Sequence, residues 1–287
     1  MHARHSAIRL RKVGPVRLNS RMYWYLVDET NRNYAEGEFF IVGGLVFTEE
    51  QFEQVHQVVR KIRQKHGFAP GDQFKFNTNS RPAHVSADAH REAKRELISA
   101  LPDIGVRMIV YVILHDIKGQ DYDNAMNYAL NALAHSYHRL LAAEKSTGVM
   151  LMDRDNHRFD HLEGLFQSGL AFGGGSHRSL NDRIRLFGMT NDNASHLSSA
   201  ADVALGAFRY CVNTAGGTGR VEAAESIFPP LAKIVWAQME RGFPRAKGYG
   251  YQPHPKLVRH ADYAEKYDAL ADALNGYARV AAGAGSS

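Results

Sequence analysis

Three aspartates stand where a folded chain can bring carboxylates together. Asp28 ends the apolar, aromatic run YWYLV and shares its side of an extended strand with Trp24 and Leu26, whereas Glu29 points to the other side. Asp153 ends VMLM in the same manner, on the side of Val149 and Leu151, with Asp155 two residues on. Asp202 lies in NASHLSSAADVALGAFRYCVN, on a stripe of Ser195, Ser198, Asp202 and Gly206 at helical steps of three and four. Small residues on that stripe let a helix approach a sheet closely, which turns Asp202 inward. A buried carboxylate without a partner is costly or becomes protonated. Three crowded ones also repel, and a cation is the simplest remedy. Hard oxygen donors of this kind select Mg²⁺ or Mn²⁺ over zinc. Ordinary roles stay open for each: Asp28 as the start of the polar turn TNRNYAEG, Asp153 as the opening of the turn DRDN, and Asp202 as the partner of Arg209 or another base.

The elements that must position these residues follow from periodicity. Strands are expected over Met22–Glu29 and Glu38–Phe47, paired antiparallel across a short turn. An amphipathic helix follows from about Glu49 to His66, with Thr48 as N-cap and Gly67 as C-terminal stop. The short piece QFKFN alternates, with Phe74 and Phe76 on one side and Lys75 on the other. Beyond it come a helix over Ala87–Ala100, a strand over Val106–His115, a helix over Tyr122–Glu144 and an apolar strand over Val149–Asp153. A helix at His161–Phe172, a Gly-rich loop from Gly173, a strand at Arg183–Thr190 and the Asp202 helix at Ser195–Asn213 complete the series. Gly216, Gly217 and Gly219 mark a hinge or linker. Helices are expected at Leu231–Arg241 and Asp262–Tyr277. The sum is an α/β chain with a mixed five-stranded sheet flanked by helices. Its divisions are a basic arm over 1–20, an α/β domain over 21–215, a helical extension with a basic aromatic loop over 216–280, and a disordered tail over 281–287.

Composition narrows the classes of function. With 287 residues, 44% hydrophobic and 23% charged, the chain has material for a real core. A single cysteine, Cys211, rules out an internal disulfide and fits a reducing, cytoplasmic setting. No secretory signal follows the basic amino terminus, and the longest apolar run, Met108–Leu114, is too short to span a bilayer. The formal charge of +5 is unevenly spread: residues 1–20 and 241–260 each carry five Lys or Arg and no acid. In the second stretch, Arg245, Lys247, Tyr249 and Tyr251 combine cations with rings and are candidates for gripping and stacking on nucleic acid. The alternative is a solvated Gly/Pro loop. His135 with His138, and His157 with His161, have helical spacing, but no cysteine or carboxylate pattern completes a zinc site. GGGSHRS lacks the Lys-Ser/Thr of a P-loop and reads as a mobile loop at a substrate entrance.

Taken together, YWYLVDETN, IVGGLVF, DQFKFN, LMDRD and SHLSSAADVALG resemble, in order and spacing, the bacterial family called domain of unknown function 3800. The resemblance spans Tyr23 to Asn213. Thr30 and Asn31 stand where the family more usually has Ser-Gly, and Ala200 stands where a Gln often precedes Ala-Asp. The resemblance implies a ribonuclease-H-like fold with Asp28, Asp153 and Asp202 as ligands of Mg²⁺ or Mn²⁺. Glu29 and Lys75 fall on further catalytic motif positions and Ser198 on a substrate-contacting one, while Lys75 also reads as a surface lysine beside two core phenylalanines. The implied activity is that of a metal-dependent nuclease, or another phosphoryl-transfer enzyme, hydrolysing phosphodiesters of DNA or RNA in a phage-defence or mobile-element setting. A second reading keeps the scaffold without the chemistry, as a noncatalytic nucleic-acid-binding or regulatory protein. A protein partner or homo-oligomer is compatible with either.

Overall fold

The computed structural model describes residues 21–119, 121–172, 175–191 and 195–283. The expected basic arm over 1–20, residues 173–174 of the Gly-rich loop and the last four positions of the expected tail lie outside the described residues.

In chain order the elements are β1 (Met22–Thr30), β2 (Phe39–Thr48), α1 (Glu49–Lys65), α2 (Ala87–Ile104), β3 (Arg107–Leu114), α3 (His115–Lys118), α4 (Tyr122–Ala143), β4 (Thr147–Asp153), α5 (Phe159–Ser168), β5 (Leu170–Ala171), β6 (His177–Arg178), β7 (Ile184–Thr190), α6 (His196–Ala215), α7 (Val221–Ile234), β8 (Gln238–Glu240), β9 (Phe243–Arg245), β10 (Tyr251–His254) and α8 (Ala261–Gly283). The main sheet is mixed and has six strands in the order β10-β3-β2-β1-β4-β7. β2 runs antiparallel to both β1 and β3, while β4 runs parallel to β1, β7 parallel to β4, and β10 parallel to β3.

The expected five strands are therefore joined by a sixth. β10 escaped the sequence reading because Gly248, Gly250 and Pro253 give it the composition of a loop. A proline is tolerated on an edge strand, where a missing N–H leaves no ladder bond broken. The Gly250 carbonyl accepts from Val110 N–H at 2.8 Å, and Trp236 N–H donates to Met108 at 2.9 Å, so the chain is stitched to β3 just before β10 begins.

Side-chain alternation along the central strands builds two cores. Leu26, Ile41, Leu45, Val110 and Val112 face α1, α2, α6, α7 and α8; Tyr25, Val27, Phe40, Val42, Tyr111 and Met150 face α4 and α5. Every residue of β2 is buried, as expected of a strand covered on both faces. Thr48 begins α1 as expected, and its N–H donates to Gln51 Oε1 at 2.9 Å, the reciprocal half of a capping box. Gly67 follows α1 with φ 79°, in the left-handed region its stop role requires.

Residues beyond 215 share this architecture. Ala224, Phe228, Leu231 and Ile234 of α7 and Tyr267, Leu270, Leu274 and Tyr277 of α8 are buried in the same core as Leu26 and Ile41. α7 begins ten residues before the expected helix, ends at Ile234 and contains Pro229 and Pro230, so that Gln238–Glu240, expected to be helical, forms strand β8 instead. Two adjacent prolines read as a helix breaker, but burial of the α7 apolar face offsets the two missing donors. α8 runs through Gly283, past the expected start of the tail.

Candidate active site

The site is assembled by strand ends. In the parallel pair, Leu26 lies beside Leu151 and Val27 beside Met152, so one further step brings Asp28 alongside Asp153. Asp153 is in turn paired with Thr190 at the end of β7. Both aspartates fall on the face of the sheet occupied by Leu26 and Leu151, which is the face α6 covers. Asp28, Asp153, Asp202, Ser198, Thr190 and Asn191 together line one pocket floored by Leu26, Val27 and Ala201. All three aspartates are half-buried.

α6 comes close because its stripe is small. Ser195 caps the helix by accepting from Ser198 N–H at 3.2 Å. At Gly206 an added Cβ would lie 2.3 Å from Phe76 Cβ, so the strip carrying Phe76 lies directly on the helix at that point. That strip, QFKFN, forms no regular strand. It is held by contacts of its own: His90 Nε2 donates to the Lys75 carbonyl at 3.1 Å, and Lys94 Nζ donates to the Phe76 carbonyl at 2.8 Å. The Phe76 N–H donates to Asp202 Oδ2 at 2.7 Å, and the Glu29 N–H donates to Asp28 Oδ1 at 2.8 Å. Each bond fixes the orientation of its carboxylate.

Cations gather behind Asp202. Lys94 sits over the Phe76 ring at 4.5 Å, and Arg209 lies 5.9 Å from the same ring while donating to Thr30 Oγ1 at 3.2 Å. Burial pushes the Lys94 ammonium down to about 8, with Arg91 adding to the shift and Asp202 opposing it. His90, buried beside Lys94, is pushed down to about 4 by desolvation first and by Lys94 second.

The sequence-based candidates divide. Asp28, Asp153, Asp202 and Ser198 meet at the pocket. Glu29 does not, because β1 stays regular through Thr30 and sends it to the other side, where it pairs with Arg32. Lys75 precedes the amide that holds Asp202 but does not line the pocket. The four candidates from 241–260 lie near the far edge of the sheet, beyond β3. Tyr249 is buried against Trp236, with Arg139 4.0 Å over its ring and its hydroxyl on Glu240. Tyr251 belongs to β10 and packs against the core. Arg245 pairs with Glu240 at 2.7 Å, and Lys247 is exposed. The expected stacking rings are thus part of the core, because closing the sheet edge buries more apolar area than a solvated loop would.

Thr190, Asn191, Lys94 and the Phe76 amide were not among the expected site residues. Thr190 carried a usable signal, since it too is a polar residue ending an apolar strand. A main-chain amide leaves no trace in residue types.

Among the described residues, no group of three or more His, Cys, Asp or Glu side chains is arranged as a metal cage. His138 contacts Asp182 and His161 contacts Asn131, each at 2.9 Å, so these two histidines serve local packing. Cys211 is buried and its thiol is pushed up by desolvation, a poor nucleophile. No described helix is long and apolar enough to cross a membrane. In comparisons with known proteins, the chain matches no family model, no curated protein and no solved structure.

Proposed function

We propose that this chain is a divalent-metal-dependent nuclease, or a phosphoryl-transfer enzyme of the same chemistry, acting on phosphodiesters of DNA or RNA. The observation that carries the reading is the convergence of Asp28 from β1, Asp153 from β4 and Asp202 from α6 on a single pocket. A ribonuclease-H-like scaffold, akin to domain of unknown function 3800, is supported by the run β3-β2-β1-β4-β7, whose first three strands alternate in direction and whose last two run parallel to β1.

The donor set fits Mg²⁺ or Mn²⁺, being all oxygen with no thiolate or imidazole. Mg²⁺ usually takes one or two carboxylates together with substrate phosphate oxygens and keeps several waters. Three carboxylates that share a pocket without closing a cage, among the described residues, suit that mode. When bound, the ion supplies Lewis acidity and a water of lowered pKa. The chain's own contribution is orientation. The Phe76 amide fixes Asp202, the Glu29 amide fixes Asp28, and the Ser198 and Thr190 hydroxyls at the pocket wall can donate to a phosphate.

The test uses end-labelled DNA and RNA with Mn²⁺ or Mg²⁺. Cleavage should require the ion and disappear in Asp28→Asn and Asp202→Asn, both retaining the wild-type circular dichroism. Titration of Mn²⁺ followed by electron paramagnetic resonance should show weaker binding in both variants. Wild type and Asp28→Asn behaving alike in both assays would refute the proposal.

A further inference from the structure

A second cleft adjoins the aspartate pocket through one residue. Phe76 holds Asp202 with its amide and also forms the wall of a cleft lined by Thr78, Arg91, Lys94, Arg95 and Arg220. Among the described residues, no acidic side chain lines this cleft. Arg91 and Arg95 carry pairs to Asp88 at 3.0 Å and Glu92 at 3.8 Å, but all four residues are solvent-accessible, and such pairs exchange readily for a better anion. Arg220 precedes α7 and is exposed. Arg209 continues the line of cations from Lys94 toward Thr30, two residues from Asp28.

From this continuity we infer that the cleft between α2, α6 and α7 is the seat of the nucleic-acid backbone flanking the reactive phosphodiester, with Arg91, Arg95 and Arg220 each contacting a phosphate. The inference rests on the proposed nuclease reading and names the surface that holds its substrate. Three of the four cations are arginine, whose planar fork matches phosphate oxygens in a bidentate manner. The far-edge cations Arg245 and Lys247 lack this continuity with the site.

Binding is measured by fluorescence anisotropy with single-stranded and duplex DNA and RNA in EDTA, so that cleavage plays no part. Each phosphate contact contributes about 0.7 for single strands or 0.9 for duplex DNA to the slope of log affinity against log salt. Arg91→Gln/Arg95→Gln/Arg220→Gln should therefore flatten the slope by about 2 to 3 and weaken binding at least about tenfold near 0.1 M salt. Arg245→Gln/Lys247→Gln should change neither. An unchanged slope in the triple variant, or wild-type preference for polyglutamate over every nucleic acid, overturns the inference. Failure of this inference and failure of the nuclease reading are separable: cleavage with unaltered KM in the triple variant removes the cleft and keeps the enzyme. Cleft-dependent binding without cleavage does the reverse.

Discussion

Replacing Gly206 by alanine tests the contact that places the Phe76 strip on α6. In an open helix the change is stabilising by up to ~1 kcal/mol, because alanine has the better helix propensity. Here the new methyl would lie 2.3 Å from Phe76 Cβ and 2.4 Å from Cγ, whereas carbon atoms pack at about 3.5 to 4.0 Å. More than 1 Å of movement is required, and Phe76 is held by its amide bond to Asp202 and its carbonyl bond from Lys94. Overpacking costs roughly 1 to 3 kcal/mol, and losing a hydrogen bond to a carboxylate costs roughly 1.5 to 3. After subtracting the propensity gain, Gly206→Ala should destabilise by about 1.5 to 5 kcal/mol. Urea unfolding monitored by tryptophan fluorescence measures this as a lower midpoint at unchanged slope. Phe76→Gly removes the atoms in the way, so adding Gly206→Ala to that variant should be neutral or stabilising. A Gly206→Ala protein as stable as wild type, or an equal loss in the Phe76→Gly background, refutes the close packing described here.

Acid should weaken the fold before the carboxylates titrate. His90 and His135 are both pushed down to about 4 by burial, against an ordinary value of 6.5. The unfolded chain then takes up protons first, and stability is lost as pH falls from about 6.5 toward about 4. For His90, which is 1% exposed, this amounts to at most ~3 kcal/mol. His90→Gln should flatten part of that limb in pH-dependent urea titrations, and an unaltered profile would contradict the assignment. Gln51 accepts from the Thr48 amide and donates to the Ile104 carbonyl at 3.1 Å, tying the start of α1 to the end of α2. Gln51→Ala should cost about 1 to 2 kcal/mol in the same assay, whereas Glu53→Ala on the exposed face should be close to neutral.

The parts of the site that could be read in the sequence are those governed by a simple period. Alternation along YWYLVD and VMLMD places Asp28 and Asp153 on one face, and the Ser/Gly stripe places Asp202 opposite them. These rules depend only on local geometry and survive folding unchanged. Glu29 followed the same alternation and left the site, although its motif position had drawn it in. The residues of 241–260 could not be placed by such a rule. Tyr249 and Tyr251 have the composition of a solvated loop, yet β3 needed a neighbour along its outer edge. α7 was obscured for a related reason, since local propensity around Pro229 and Pro230 opposes a helix that tertiary burial sustains. The Phe76 amide lay beyond any reading of residue types.

The catalytic carboxylates proposed here arise near the beginning, the middle and the later part of the chain, and the last of them docks only when α6 settles across β1 and β2. A half-made chain leaving the ribosome would own an isolated Asp28, then a pair, and no complete set. On the proposed nuclease reading, cleavage would have to await the closing of contacts over most of the polypeptide.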